Sequence, residues 1–131
     1  FIYLKLMKKL IFLFILISPT SIYPDWMIVA NSKNGDTYYV DAERIREIDG
    51  YIYFWRLRDY FNEDEYGDRS SKSYQKADCK LFRAKSLTMM YFTESMGSGE
   101  ISTYDEQERE WIYPAPDSNS EAVLRYACNY N

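Results

Sequence analysis

The chain contains no histidine and only two cysteines, Cys79 and Cys128, among its 131 residues. Lack of histidine removes Ser-His-Asp and Cys-His nucleophilic machinery, the usual zinc sites and the commonest general base near neutral pH. The cysteines have no C-x-x-C spacing and no histidine to lower a thiol pKa, which argues against thiol chemistry. Glycine is scarce as well. Gly97-Ser98-Gly99 lacks the third glycine, the lysine and the following helix of the nucleotide-binding fingerprints, and reads as a turn between strands. The apolar run from Leu10 to Ile17 falls well short of the about 20 residues that cross a bilayer. What is present, 47% hydrophobic and 27% charged residues, is the balance of one ordinary globular domain.

That short run has a different use. Met7-Lys8-Lys9 precedes it and Ser18-Pro19-Thr20-Ser21 closes it. A positive start, a short apolar stretch and a small-residue exit form a secretory signal peptide. The expected organisation is a signal segment over 1–24, starting at Met7, and a single domain over 25–131. The cleavage is expected between Thr20 and Asp25. No membrane anchor is expected after cleavage, and no lipid-modified cysteine, because neither cysteine follows the run. Loss of Lys5, Lys8 and Lys9 takes sixteen basic residues to thirteen against 20 acids, so net charge falls from -4 to -7. Such a chain repels nucleic acid and anionic lipid over most of its surface, and neither is an expected partner. Export also favours a Cys79–Cys128 disulfide, closing a loop of about 50 residues worth roughly 4 kcal/mol by chain entropy.

Along the expected domain, Trp26 to Ala30 and Thr37 to Val40 flank Asn34-Gly35, a β-hairpin signal. Asp41 to Ile48 reads as a turn or a single helical turn. Tyr51 to Arg58 alternates strictly, with Tyr51, Tyr53, Trp55 and Leu57 as the core-like face and Ile52, Phe54, Arg56 and Arg58 as a mixed one. Ser71 to Asp78 reads as an edge or exposed strand. Leu81 to Phe92 is a further strand, with Ala84 and Thr88 on one side and Lys85 and Met89 on the other, and Ile101 to Tyr104 is a shorter one. A brief strand, Trp111 to Tyr113, ends at Pro114. Ser118 then stands three residues before Glu121, the capping-box spacing, and Ala122 to Ala127 follow with helical periodicity. The expected fold is therefore α+β, a small antiparallel β-sheet packed against a C-terminal α-helix tethered by the disulfide.

Two groups of carboxylates come nearest to a chemical signature. Asn62, Asp64, Gly67 and Asp68 match part of a calcium loop, but Tyr66 and Ser73 stand where ligands are needed. Asp105, Glu106, Glu108 and Glu110 include enough carboxylates for a glycosidase pair, yet beside Gln107 and Arg109 they read as a solvated face. No metal, cofactor or catalytic residue is expected, and the chain is read as a non-enzyme. Aromatics make up 18% of the chain. Trp26, Trp55, Phe54 and Trp111 are expected in the core. Tyr38, Tyr60, Tyr66, Tyr74 and Tyr104 lie in polar surroundings and are the expected exposed contacts for a protein partner.

One ordered set of residues spans nearly all of this domain: a tryptophan strand, Tyr39-Val40-Asp41 with Ile45, then Trp55, Arg69-Ser70 and Asp78-Cys79. It continues through Met96-Gly97-Ser98-Gly99-Glu100 and Trp111 to Pro116, Ser118 and a helix ending at Cys128. The set resembles the surface-adhesin protein E family. The resemblance implies an antiparallel sheet tethered to a terminal helix, and a non-enzymatic bacterial exported protein whose best-known relative attaches to host extracellular-matrix components and can dimerise. The expected function is an adhesin-like module that binds a host or matrix protein. The alternative is a periplasmic helper or inhibitor that binds another exported bacterial protein. The expected location is the periplasm, the cell surface or the medium.

Overall fold

The computed structural model describes residues 24–130, so the expected signal segment lies, apart from Pro24, outside the described residues. Seven strands form one antiparallel sheet: β1 (Trp26–Asn31), β2 (Thr37–Asp41), β3 (Arg46–Ile48), β4 (Tyr51–Asp59), β5 (Ser70–Asp78), β6 (Arg83–Phe92) and β7 (Ile101–Asp105). Their order is β1-β2-β4-β5-β6-β7, with the short β3 paired to one end of β4. The Asn34-Gly35 signal does turn the β1–β2 hairpin. Gly35 has φ +94°, a backbone that side chains rarely adopt, and a Cβ there would meet the Phe61 ring.

One helix, α1 (Asn119–Cys128), ends the described chain. The Ser118 Oγ accepts from the Glu121 backbone amide at 3.1 Å, which satisfies one free donor of the first turn. Cys79 follows β5 and Cys128 ends α1, and the two form a disulfide. The helix thus lies chiefly across β1, β2, β4 and β5.

The core is the seam between α1 and the sheet: Val123, Leu124 and Ala127 meet Val40, Phe54, Ala77 and Tyr38. This overturns the expected assignment of the β4 faces. Residues opposed in an antiparallel pair share a face, so Phe54 groups with Gln75, and Arg56 with Val40 and Ser73. The face that looked mixed is the one beneath the helix, because its small Ala77, Val40 and Ala84 allow the helix to come close. The larger Tyr51, Tyr53 and Trp55 point the other way.

Two further expectations are corrected. β5 is a central strand, and Ser70, Ser71 and Ser73 are buried. Their hydroxyls have partners inside: Ser73 with Ser86 Oγ at 2.8 Å, and Ser70 donating to the Glu94 carbonyl at 2.6 Å. In β6, a bulge opposite Tyr74 and Gln75 inserts Leu87, so the alternation shifts phase and Ala84, Ser86 and Met89 share one face. Asp41 to Ile48 forms a 3-10 turn (Ala42–Arg44) and then β3, and of Trp111 to Tyr113 only an Ile112–Ala84 bridge pairs.

Candidate functional site

The face away from α1 carries most of the aromatics of the sheet strands. β4 contributes Tyr51, Tyr53 and Trp55, and β5 contributes Tyr74 opposite Trp55 and Lys76 opposite Tyr53. β6 adds Arg83 and Lys85, and Trp111 folds back over this end of the sheet. Strict alternation in β4 places three aromatics in a row, and the cross-strand register puts cations among them.

The rings pack in two groups, joined by Lys76, which lies over both Tyr51 and Tyr53. Trp55 and Tyr74 lie 5.0 Å apart between centroids, Tyr53 and Tyr74 6.0 Å, and Tyr51 and Trp111 6.1 Å. The cations sit on the rings at distances where the ring quadrupole attracts them. Lys76 Nζ is 4.2 Å from the Tyr51 centroid, and Arg83 and Lys85 are each 4.4 Å from that of Trp111. Arg83 also bonds Asp78 at 3.0 Å and Lys85 pairs with Glu108. The Lys85 bond and charge hold the Glu108 carboxyl below its ordinary pKa. Lys76 has no carboxylate within ion-pair distance among the described residues.

The far end of this face is closed. A second 3-10 turn, Ser95–Gly97, lies over Leu57 and Lys72, and Leu57 is fully buried there. Gly97 permits this: a Cβ at its φ of +69° would collide with the Lys72 side chain. Lys72 is sandwiched between the rings of Trp26 and Phe92, and its burial lowers its pKa. The Tyr51–Trp111 end stays partly open, with Tyr51, Tyr53, Trp55, Tyr74 and Trp111 all of intermediate exposure.

The five expected contact tyrosines are thus dispersed. Tyr74 and Tyr104 stand on this face, and Tyr104 is 54% exposed. Tyr66 is 82% exposed but alone at the tip of the β4–β5 loop. Tyr38 is a correction: at 8% exposure it belongs to the core, packed beneath α1. Tyr60 is half-buried beside the same Arg58 guanidinium that covers Tyr38. The converse correction concerns Trp26, Trp55 and Trp111, which lie on the open face and outside the helix-facing core, whereas Phe54 is in it. The carboxylates of the β4–β5 loop hold the loop itself: Asp64 Oδ1 accepts from the Tyr66 and Asp68 amides, and Asp68 accepts from Ser102 Oγ. Asp105 is engaged by Arg109 and Glu106 by the Tyr104 hydroxyl.

Residues 26–129 match the family described as surface-adhesin protein E. No curated protein sequence matches the chain. Its fold is similar to that of Haemophilus influenzae protein E in crystal form II, with a TM-score of 0.63 and 18% identity over 88% of this chain and 96% of that one. Protein E from non-typeable Haemophilus influenzae is similar at a TM-score of 0.57 and 18% identity, over 86% and 81% of the two chains. At such identity the structural likeness speaks for the fold, whose sheet, terminal helix and tether are those described above. The match over 26–129 covers every strand and the helix, and the chain belongs to the surface-adhesin protein E family.

Proposed function

We propose that this chain is an exported, non-enzymatic binding module that attaches to a host or extracellular-matrix protein through the open end of its sheet. The observation that carries the reading is the aromatic–cation chain Tyr51, Tyr53, Trp55, Tyr74 and Trp111 with Lys76, Arg83 and Lys85. Rigid rings offer contact area at low entropy cost, and aromatics and arginine are the residues enriched where proteins bind proteins. The cations lend this end a positive sign on an otherwise acidic chain, which favours a partner segment with carboxylates. Family membership supports the adhesin-like role.

The test is binding of the purified protein to a panel of matrix glycoproteins, compared with a Tyr53→Ser, Tyr74→Ser, Trp111→Ser variant whose melting curve shows it folded. Retention of a partner by the native protein and its loss by the variant are expected. Undiminished binding by the folded variant would refute the role of this face. Digestion of the protein by protease added to intact cells is the outcome expected of an adhesin. Protection until osmotic shock opens the outer membrane would favour the periplasmic helper instead.

A further inference from the structure

On the opposite face, α1 lies chiefly over β1, β2, β4 and β5, and the segment before the helix runs beside β6. That segment is held by Arg109 N donating to the Ser86 carbonyl and by the Ile112–Ala84 bridge. Between this segment, the helix and the sheet lies a cavity of about 170 Å³. Phe54, Ala84, Met89, Val123 and Leu124 supply an apolar wall. Arg56, Gln75 and Ser86 supply polar groups from the sheet, and Arg109 and Ser120 stand on more exposed ground around it.

Arg56 is the unusual member. It forms no ion pair and no hydrogen bond with any described residue. Its neighbour two residues on, Arg58, shows the ordinary arrangement: both Nε and Nη2 bond Asp36 Oδ2, at 2.9 and 2.7 Å. Burial lowers the Arg56 pKa and the like charge of Arg58 lowers it further, while the facing groups that counter this are the phenols of Tyr38, Tyr60 and Tyr91. Arg56 is of intermediate exposure, so its guanidinium is partly desolvated and lacks a carboxylate, and an anion that enters the cavity beside it gains a charge-assisted pair. Arg109, at the same cavity, is already held by Asp105 at 3.0 Å.

We propose that this cavity binds a small monocarboxylate with an apolar body, its carboxylate on Arg56 and its hydrocarbon against Phe54, Val123 and Leu124. The size fits: an apolar cavity of about 150 Å³ takes benzene, so the guest is about as large as benzoate. Arg presents a planar fork that matches a carboxylate in two bonds, and among the described residues it is the free cation here, because Ser86 Oγ and Gln75 Nε2 already bond Ser73 Oγ. This site is on the face opposite the proposed attachment surface and stands independently of it.

Benzoate is the probe, titrated into the full protein while backbone amide NMR signals are followed. Binding with a dissociation constant of about 1 mM or tighter is expected, with shifts centred on Phe54, Ser86, Val123 and Leu124. Benzyl alcohol, the same size without the charge, and inorganic phosphate, charged without the apolar body, should each bind about tenfold more weakly or worse. Arg56→Met should abolish the preference for benzoate over benzyl alcohol while leaving the alcohol's own affinity unchanged. Absence of benzoate shifts at these residues, or equal affinity for benzoate and benzyl alcohol in the native protein, would overturn the proposal even if the variant fails to fold.

Discussion

The two faces of one sheet are built from the same alternating strands, yet they are finished in opposite ways. Beneath α1 the small Val40, Ala77 and Ala84 let the helix come near, and Phe54 and Tyr38 fill the space around them. On the other face the side chains are large and the cover is partial, so rings and cations pack against one another. The difference is one of closure. A face that receives a helix needs shallow residues and gains stability from excluding water, whereas a face without one keeps its aromatics half-wet and available.

The comparison is sharpest at adjacent residues of β4. Phe54→Ala removes a fully buried ring at the helix seam and is expected to cost about 3–5 kcal/mol in denaturant unfolding. Tyr53→Ala, one residue earlier and on the open face, should cost about 1 kcal/mol or less, the worth of a cross-strand pair. Equal losses at the two positions would mean that the open face is as much a core as the covered one.

The tether comes next in size. Cys79→Ser with Cys128→Ser frees the end of α1 from the end of β5 and should lower stability by about 2–4 kcal/mol. The loss should be reproduced in the native protein by a reductant, and the amides exchanging faster should be those of α1. An unchanged midpoint would mean that the Val123, Leu124 and Ala127 contacts hold the helix by themselves.

Much of this architecture was legible in the residues. The Asn34-Gly35 hairpin, the Ser118 cap and the pair Cys79 and Cys128 are local or exclusive signals, and each appears where expected. Which face of β4 meets the helix was not legible, because bulk suggested the aromatic side while closure demanded the small one. β5 misled for a related reason. Its serines look like a solvated edge, but Ser73 and Ser86 satisfy each other across two strands, a pairing visible only once register is known. The Leu87 bulge shifted the phase of β6 with no glycine or proline to announce it. Tyr38 and Tyr60 share one cover: Arg58 is close to Tyr60 in sequence but opposes Tyr38 only through the β2–β4 register, and its guanidinium lies against both rings.

Charge tests the rim of the covered face. Burial alone would raise the Asp36 pKa, but the Phe61 amide at 2.9 Å and the Arg58 guanidinium outweigh it and hold the carboxyl below its ordinary value. A depressed folded pKa gives stability that is present above the unfolded pKa and is lost as pH falls through the folded one. Asp36→Asn should therefore be less stable than the native protein at pH 7, with the gap narrowing below about pH 4. Parallel acid limbs for the two proteins would show that Arg58 is held by something other than this carboxylate.

The smallest effect on stability should still carry a measurable effect on binding. Lys76 sits over Tyr51 without a carboxylate partner, so Lys76→Met keeps the stem against the ring and removes only the charge. A partly exposed cation–π contact is worth about 0.5–1 kcal/mol, and the melting curve should move little. Attachment through this end should instead weaken and become less sensitive to salt, because the positive sign that meets a partner's carboxylates is reduced. Binding of a matrix protein measured at low and at physiological ionic strength separates the two contributions: a parallel loss at both would assign the affinity to the rings, and a loss confined to low salt would assign Lys76 to electrostatic attraction.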